Sequence, residues 1–205
     1  MRYLPQLFAG NREWVARRMA EDPGFFRHQS SAQAPDHLWI GCSDSRVPAN
    51  EIVGLDAGEL FVHRNVGNLA RDDDDNAMAV LAYAVDVLRV PHVIVCGHSG
   101  CGGVQAALGP PQPAPLEGWI APVRAAAARH RDELAALEPA ARWRRLCEIN
   151  VREQVAALAA GRIVRGAWER GQPLHLHGWL YELETGRLID LEVSTAGPDE
   201  PPPAG

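Results

Sequence analysis

No stretch of this sequence approaches the ~20 consecutive apolar residues that a membrane-spanning helix requires, so no membrane partner is expected. The first residues, Met1-Arg2-Tyr3-Leu4-Pro5, carry no apolar signal core with a small-residue cleavage site behind it, and a cytoplasmic location is the default expectation. Basic excess is missing as well. A formal net charge of −6 and a pI near 5.7 give no electrostatic reason to expect nucleic acid. Four cysteines in 205 residues are too few for a disulfide framework, which leaves metal binding or simple burial as their uses. The acidic run Asp72 to Asp75 lacks the glycine and glutamate positions of a calcium loop. It reads instead as a helix start, where negative charge complements the helix dipole. No internal repeat is present.

What remains is an ordinary globular composition, 46% hydrophobic and 22% charged, at a length that suits one domain. Residues 1–30 pattern as an amphipathic helical arm, with Leu7, Phe8, Trp14, Val15 and Met19 at helical spacing and a break at Asp22-Pro23-Gly24. Such an arm packs either on its own domain or across a neighbouring subunit. Residues 31–197 form the expected α/β domain, and the proline-rich residues 198–205 a loose tail. Short apolar runs at His37–Gly41, Glu59–His63 and His92–Cys96 predict strands. Between the last two, Asn76–Leu88 is apolar nearly all round and is expected to be a buried helix. Helices are predicted over Trp119–Leu137 and Ala140–Ala160, with a short one ending at Glu169. A strand Leu174–Tyr181 and an antiparallel return Arg187–Val193 close the pattern around the Thr185-Gly186 turn.

The chemistry collects at two strand ends. His92–Cys96 runs into the glycine-rich turn Gly97-His98-Ser99-Gly100-Cys101-Gly102-Gly103, and His37–Gly41 runs into Cys42-Ser43-Asp44-Ser45-Arg46. Functional groups in an open parallel sheet gather outside the carboxyl ends of the strands, so neighbouring strands would bring two thiolates, an imidazole and a carboxylate to one point. Zinc favours thiolate and imidazole in tetrahedral geometry, and its catalytic sites use three protein ligands with a fourth position open. Cys42, His98 and Cys101 supply three. Asp44 either takes the fourth position or pairs with the planar fork of Arg46, and a carboxylate exchanging between the two would be an on/off device. Cys96, in an apolar strand, and Cys147, in a helix, read as small buried hydrophobes. His175 and His177 fit a sheet or surface position better than a ligand role, because no Cys or His near them in sequence offers a partner.

Three motifs carry a family likeness: Cys42-Ser43-Asp44-Ser45-Arg46-Val47-Pro48, His63-Arg64-Asn65-Val66-Gly67-Asn68, and Val95 through Gly103. Together with Leu146 to Gln154 and His177 to Tyr181, they resemble the β-class carbonic anhydrases. The resemblance implies an α/β fold with a four-stranded parallel sheet, an added antiparallel strand and flanking helices. It also implies a homodimer or homotetramer (a dimer of dimers) with an N-terminal helical arm, and one Zn2+ per chain on Cys42, His98 and Cys101. The implied reaction is reversible hydration of carbon dioxide to bicarbonate and a proton. Asp44 and Arg46 become the catalytic pair, Asp44 joining the metal in a closed form and held by Arg46 in an open one. Trp39, Arg64 and Tyr181 match the residues that mark the allosteric, bicarbonate-regulated (type II) subgroup, with Gly41 leaving room for the anion. Asn50 stands where many relatives have glutamate.

Two thiolates offset the metal's charge, so activity is expected to rise through mildly alkaline pH. Val66, Tyr83 and the Gly102 N–H are candidates to line the carbon dioxide pocket, and no proton-shuttle residue is evident. Three other readings compete: a carbon disulfide or carbonyl sulfide hydrolase on the same fold, a metal-free Cys-His-Asp hydrolase, and a non-catalytic bicarbonate-binding protein.

Overall fold

The structure, a computed structural model, describes residues 3–197, so the tail expected over 198–205 lies outside the described residues. The chain divides into two compact units, residues 1–34 and 35–205. The first holds helices α1 (Pro5–Glu21) and α2 (Phe25–Gln29). Pro5 opens α1, where its missing N–H is one of the four that no helix satisfies internally. Asp22 closes the break between the helices, its Oδ1 accepting the Gly24 N–H at 2.7 Å. Trp14 then meets Phe25 and Phe26 edge-on, with centroids 6.3 and 5.4 Å away, and the Arg18 guanidinium lies 5.2 Å from the Phe25 ring. No residue of either helix is fully buried, and Leu7 stays 62% exposed.

The second unit is built on a five-stranded sheet in the order β2-β1-β3-β4-β5. Its strands are β1 (His37–Cys42), β2 (Leu60–Asn65), β3 (His92–His98), β4 (His175–Glu182) and β5 (Arg187–Asp190). The first four are mutually parallel and β5 pairs antiparallel with β4, the architecture the motifs implied. The central strands β1 and β3 are apolar on consecutive residues because both of their faces are covered. Around the sheet run α3 (Ala49–Val53), α4 (Asp75–Ala82), α5 (Gly102–Leu108), α6 (Leu116–Arg129), α7 (Arg131–Ala135), α8 (Pro139–Ala160) and α9 (Arg162–Glu169). Helix α8 lies close on the sheet: a Cβ at Gly178 of β4 would sit 3.1 Å from both Val151 and Val155, and 2.5 Å from Val193. No helix among the described residues is long and apolar enough to cross a membrane.

Three expectations need correction. The segment expected as one buried helix over Asn76–Leu88 starts at Asp75, under the Asp74 cap, and widens into a π-helical stretch at Tyr83–Leu88. Ala77, Leu81, Ala84 and Val85 are buried, but Tyr83 is 44% and Val87 61% exposed, because only one face meets the core. The helix expected over Trp119–Leu137 begins at Leu116 and is interrupted at His130, whose ψ of 23° leaves the helical range and separates α6 from α7. The antiparallel return stops at Asp190 instead of Val193, since Glu192 takes a φ of +56°, which no strand residue adopts.

His175 and His177 lie in a strand, as expected, and their partners come from elsewhere in the chain, delivered from strands more than eighty residues away. Parallel register sets His37, His92 and His175 side by side across β1, β3 and β4. His177 follows on the same face of β4. The His37 and His175 rings lie 5.5 and 5.2 Å from that of His92. His92 Nδ1 is 3.1 Å from His177 Nε2. His177 Nδ1 is 3.0 Å from the Ser194 hydroxyl.

Burial, and then the charge of neighbouring imidazoles, hold His92 and His177 below the usual histidine value, with Asp36 and Asp190 acting weakly against this. Burial lowers His63 too. Each of these rings binds a proton less readily folded than unfolded, so their contribution to stability is complete above the unfolded value of about 6.5 and is lost as pH falls below it. The thermal midpoint should therefore fall between pH 7 and pH 5, and His177→Asn should flatten that dependence in a calorimetric or dichroism melt series.

Candidate metal centre

Cys42 is the last residue of β1, His98 the last of β3, and Cys101 the N-cap of α5. Because β1 and β3 are adjacent and parallel, their ends present the three side chains together. All three are buried, and their ligand atoms lie within 4.8 Å of one another, the only such His, Cys, Asp or Glu group among the described residues. The turn between the two β3-side ligands depends on Gly100, whose φ of +67° suits glycine.

The donor set fits zinc. Cys42 Sγ and Cys101 Sγ are 3.8 Å apart, and two thiolates each ~2.3 Å from a tetrahedral zinc would be separated by ~3.8 Å. His98 Nδ1 faces the Ser99 carbonyl at 2.9 Å, so it carries the proton and leaves Nε2 with a free lone pair. That Nε2 is buried and makes no well-formed hydrogen bond. The Cys42 thiol is pulled down by its hydrogen bond with Cys101, helped by His98 and by the backbone N–H groups of Gly67 and Asp44, against the opposing effect of burial. Cys101 is pushed up by the same contact with Cys42 and by burial, while the Val104 N–H in the first turn of α5 pulls the other way. The two sulfurs thus hold one proton between them, and a divalent cation would displace it.

Asp44 stands beside the cluster, Oδ2 3.8 Å from His98 Nε2. Arg46 grips it as a fork: Nε donates to Oδ1 at 2.9 Å and an Nη to Oδ2 at 2.7 Å, while the Arg46 backbone N–H also donates to Oδ1 at 2.9 Å. The same Arg46 reaches the Gly100 carbonyl at 3.3 Å. These donors hold the Asp44 carboxyl well below the usual carboxylate range.

Several residues support the centre through bonds to backbone that their place in the sequence does not reveal. Arg64 donates to the Cys42 carbonyl at 2.8 Å and to the Asp44 carbonyl at 2.5 Å, tying β2 to the loop that carries both. The Trp143 indole N–H of α8 donates to the Cys101 carbonyl at 2.9 Å. The loop after β2 is closed by the Asn65 side chain, which bonds the Leu69 N–H and carbonyl at 2.7 Å each. From α8, Asn150 donates to the Gly67 carbonyl at 2.8 Å, and Gln154 accepts the Ala70 N–H at 2.8 Å while donating to Asn150. Those bonds set the backbone whose Gly67 N–H faces Cys42.

The remaining expected residues fall in two neighbourhoods. Trp39 is fully buried with its indole N–H unpartnered, edge-on to Trp179 and in one apolar cluster with Tyr181. A Cβ at Gly41 would meet the Trp39 Nε1 at 2.3 Å, so only glycine fits beside that indole. Asn50 donates to the Asp56 carbonyl at 2.9 Å. Val66 packs against Gly103, where a Cβ would lie 2.7 Å from it, and lines a cavity of about 590 Å3 with Arg71, Leu116 and Trp119. Tyr83 stacks on Phe61 at 5.8 Å, and Gly102 faces open space; neither lines that cavity. Cys96 and Cys147 are fully buried, as expected of small hydrophobes.

A family profile described as carbonic anhydrase matches residues 37–188. A carbonic anhydrase of Emericella nidulans is 46% identical over 202 residues, covering 96% of this chain and 88% of its own. One from Pseudomonas aeruginosa is 40% identical, over 82% of this chain and 78% of its own. Among solved structures, the Coccomyxa β-carbonic anhydrase in complex with acetazolamide superimposes with a TM-score of 0.93 at 38% identity, covering 96% of this chain and 90% of that one. A tetrameric β-carbonic anhydrase of Sordaria macrospora gives 0.89 at 36% identity, covering 93% and 98%.

The hydrogen bond from Trp143 to the Cys101 carbonyl generates a test of the centre's outer support. Trp143→Phe should weaken zinc binding by ~10-fold in competition with a chelator. Trp168→Phe, which removes an indole bond to the Leu174 carbonyl instead, should leave zinc binding unchanged.

Proposed function

The chain belongs to the β-class carbonic anhydrases, and from that premise we propose a zinc enzyme for the reversible hydration of carbon dioxide in which Asp44 exchanges between Arg46 and the metal. The observation that carries this is the convergence of two sulfurs at tetrahedral spacing, a ring nitrogen with a free lone pair, and a carboxylate held by an arginine fork beside them. Cys42, His98 and Cys101 would hold the zinc, which would supply a Lewis acid to make water nucleophilic toward carbon dioxide at alkaline pH. The chain's own groups do the orienting. Asp44, kept ionised by Arg46, is an acceptor at every working pH and positions the proton of the attacking water. Arg46 holds that carboxylate in its fork, and its bond to the Gly100 carbonyl links the pair to the turn bearing Cys101. Val66, Tyr83 and the Gly102 N–H are the groups assigned to the carbon dioxide side.

Regulation by bicarbonate, the type II property, is part of the same proposal. Its support is the buried, unpartnered Trp39 N–H beside Gly41, with Tyr181 in the same cluster and the Arg64 cation at the neighbouring strand end. An anion accepting from that N–H would satisfy a donor that is otherwise costly to bury. Assembly as a homodimer or homotetramer, with residues 1–30 as the arm that crosses to another subunit, is proposed on the exposed apolar residues Leu7, Phe8 and Met19. The cytoplasm is the proposed location.

Carbon dioxide hydration should be measurable by stopped flow above about pH 8 and should decline toward neutral pH. Arg46→Ala should lower it by ~10-fold or more with zinc content unchanged. A wild-type protein that binds zinc and is inactive throughout would leave a bicarbonate-binding role in place of catalysis. Tyr181→Phe should weaken inhibition by added bicarbonate without altering the rate in its absence.

A further inference from the structure

At the opposite end of the sheet from Cys42 and His98, four imidazoles gather where β1, β3 and β4 begin. None of them touches the centre already described. We propose that this cluster is a second metal site, seating a divalent cation of the zinc class between His92 Nδ1 and His177 Nε2. The inference does not depend on the carbonic anhydrase reading.

Geometry comes first. The two nitrogens are hydrogen-bonded at 3.1 Å, and a divalent cation would take the place of the proton they share. Two imidazole nitrogens each ~2.0–2.1 Å from one ion, at angles between square-planar and tetrahedral, are separated by ~2.9–3.4 Å. They come from adjacent parallel strands, so the sheet's hydrogen bonds hold the spacing and long flexible side chains do not. His177 also has the outer partner a ligating imidazole needs. Its Nδ1 lies 3.0 Å from Ser194 Oγ, and in the tautomer with the proton on Nδ1 that hydroxyl accepts it and Nε2 is the lone-pair donor.

The surroundings favour the ligand form. The rings of His175 and His37 lie 5.2 and 5.5 Å from that of His92. His37 Nδ1 is buried without a hydrogen-bond partner. Burial, and then the charge of neighbouring imidazoles, lowers His92 and His177, which favours their neutral, metal-binding form. Asp36 and Asp190 are the acidic groups that oppose this, too weakly to reverse it. No third donor of this cluster completes a group within 4.8 Å, so water fills the remaining positions. Such a site binds more weakly than the thiolate centre and fills after it.

The test starts from full-length protein already carrying zinc at the thiolate centre. Titration with Zn2+ followed by calorimetry should show a second ion per chain. His92→Gln and His177→Gln should each weaken that second event by ~10-fold or more while keeping the first ion and carbon dioxide hydration. A single ion per wild-type chain at saturating zinc overturns the proposal, as does a second ion that survives in the double variant. Should the variants fail to fold, Co2+ added to the zinc-loaded wild type decides the matter. Cobalt absorption without thiolate charge transfer supports the histidine site, and a thiolate band, or no bound cobalt, sinks it.

Discussion

Everything at the centre depends on the register between β1 and β3. Gly41 pairs with Cys96, which puts Cys42 level with the turn that bears His98 and Cys101. Side chains alternate faces along a strand, so a slip of one residue would send Cys42 to the wrong side and dissolve the ligand set. That register is held from both flanks, since β1 also pairs with β2 and β3 with β4. The same alignment has a consequence at the other end of the strands. Each of the three inner strands begins with a histidine, and once the carboxyl ends are level for the metal, the amino ends stack the imidazoles.

Helix α8 converts the sheet's alignment into a fixed ligand geometry. One of its faces is apolar and seals the core through Leu146, Ile149, Val151, Val155 and Leu158. From the same helix Trp143, Asn150 and Gln154 reach the Cys101 carbonyl, the Gly67 carbonyl and the Ala70 N–H. Asn150 and Gln154 are buried amides, costly unless fully bonded, and each completes its bonding to backbone when the loop after β2 is in place. Folding of that loop and orientation of the ligands are therefore one event. Arg64, bonding both the Cys42 and Asp44 carbonyls, does the same from the side of β2.

Much of this was legible in the sequence because its signals are local. The Cys-x-Asp-x-Arg and His-x-x-Cys spacings sit at strand ends, and the strand pattern alone implies that such ends converge. What was not legible is carried by contacts between segments far apart in the chain. His175 and His177 look partnerless on their own strand, and only the parallel pairing with β3 supplies His92. Asn65, Asn150 and Gln154 lie within the motifs that suggested the family, yet their bonds to loop backbone have no sequence periodicity to betray them. The interruption at His130 and the π-helical widening after Ala82 escaped for a related reason: apolar composition says that a segment is helical, not how many of its faces find a neighbour.

The four cysteines provide an internal comparison that identifies what makes two of them ligands. Burial alone drives a thiol toward the protonated form: Cys147 is pushed up to about 12, and Cys96 is raised as well. Cys42 is also buried, yet its thiol is held below the usual thiol value. The difference is the set of donors around it: the Cys101 thiol, His98, and the N–H groups of Gly67 and Asp44. A second bare thiolate 3.8 Å from the first would be repelled by it, so the pair holds one proton between its sulfurs. That repulsion is what a divalent cation removes. The fold thus prepares half of the negative charge in advance and leaves the other half to be released with the last proton, so metal affinity must rise with pH.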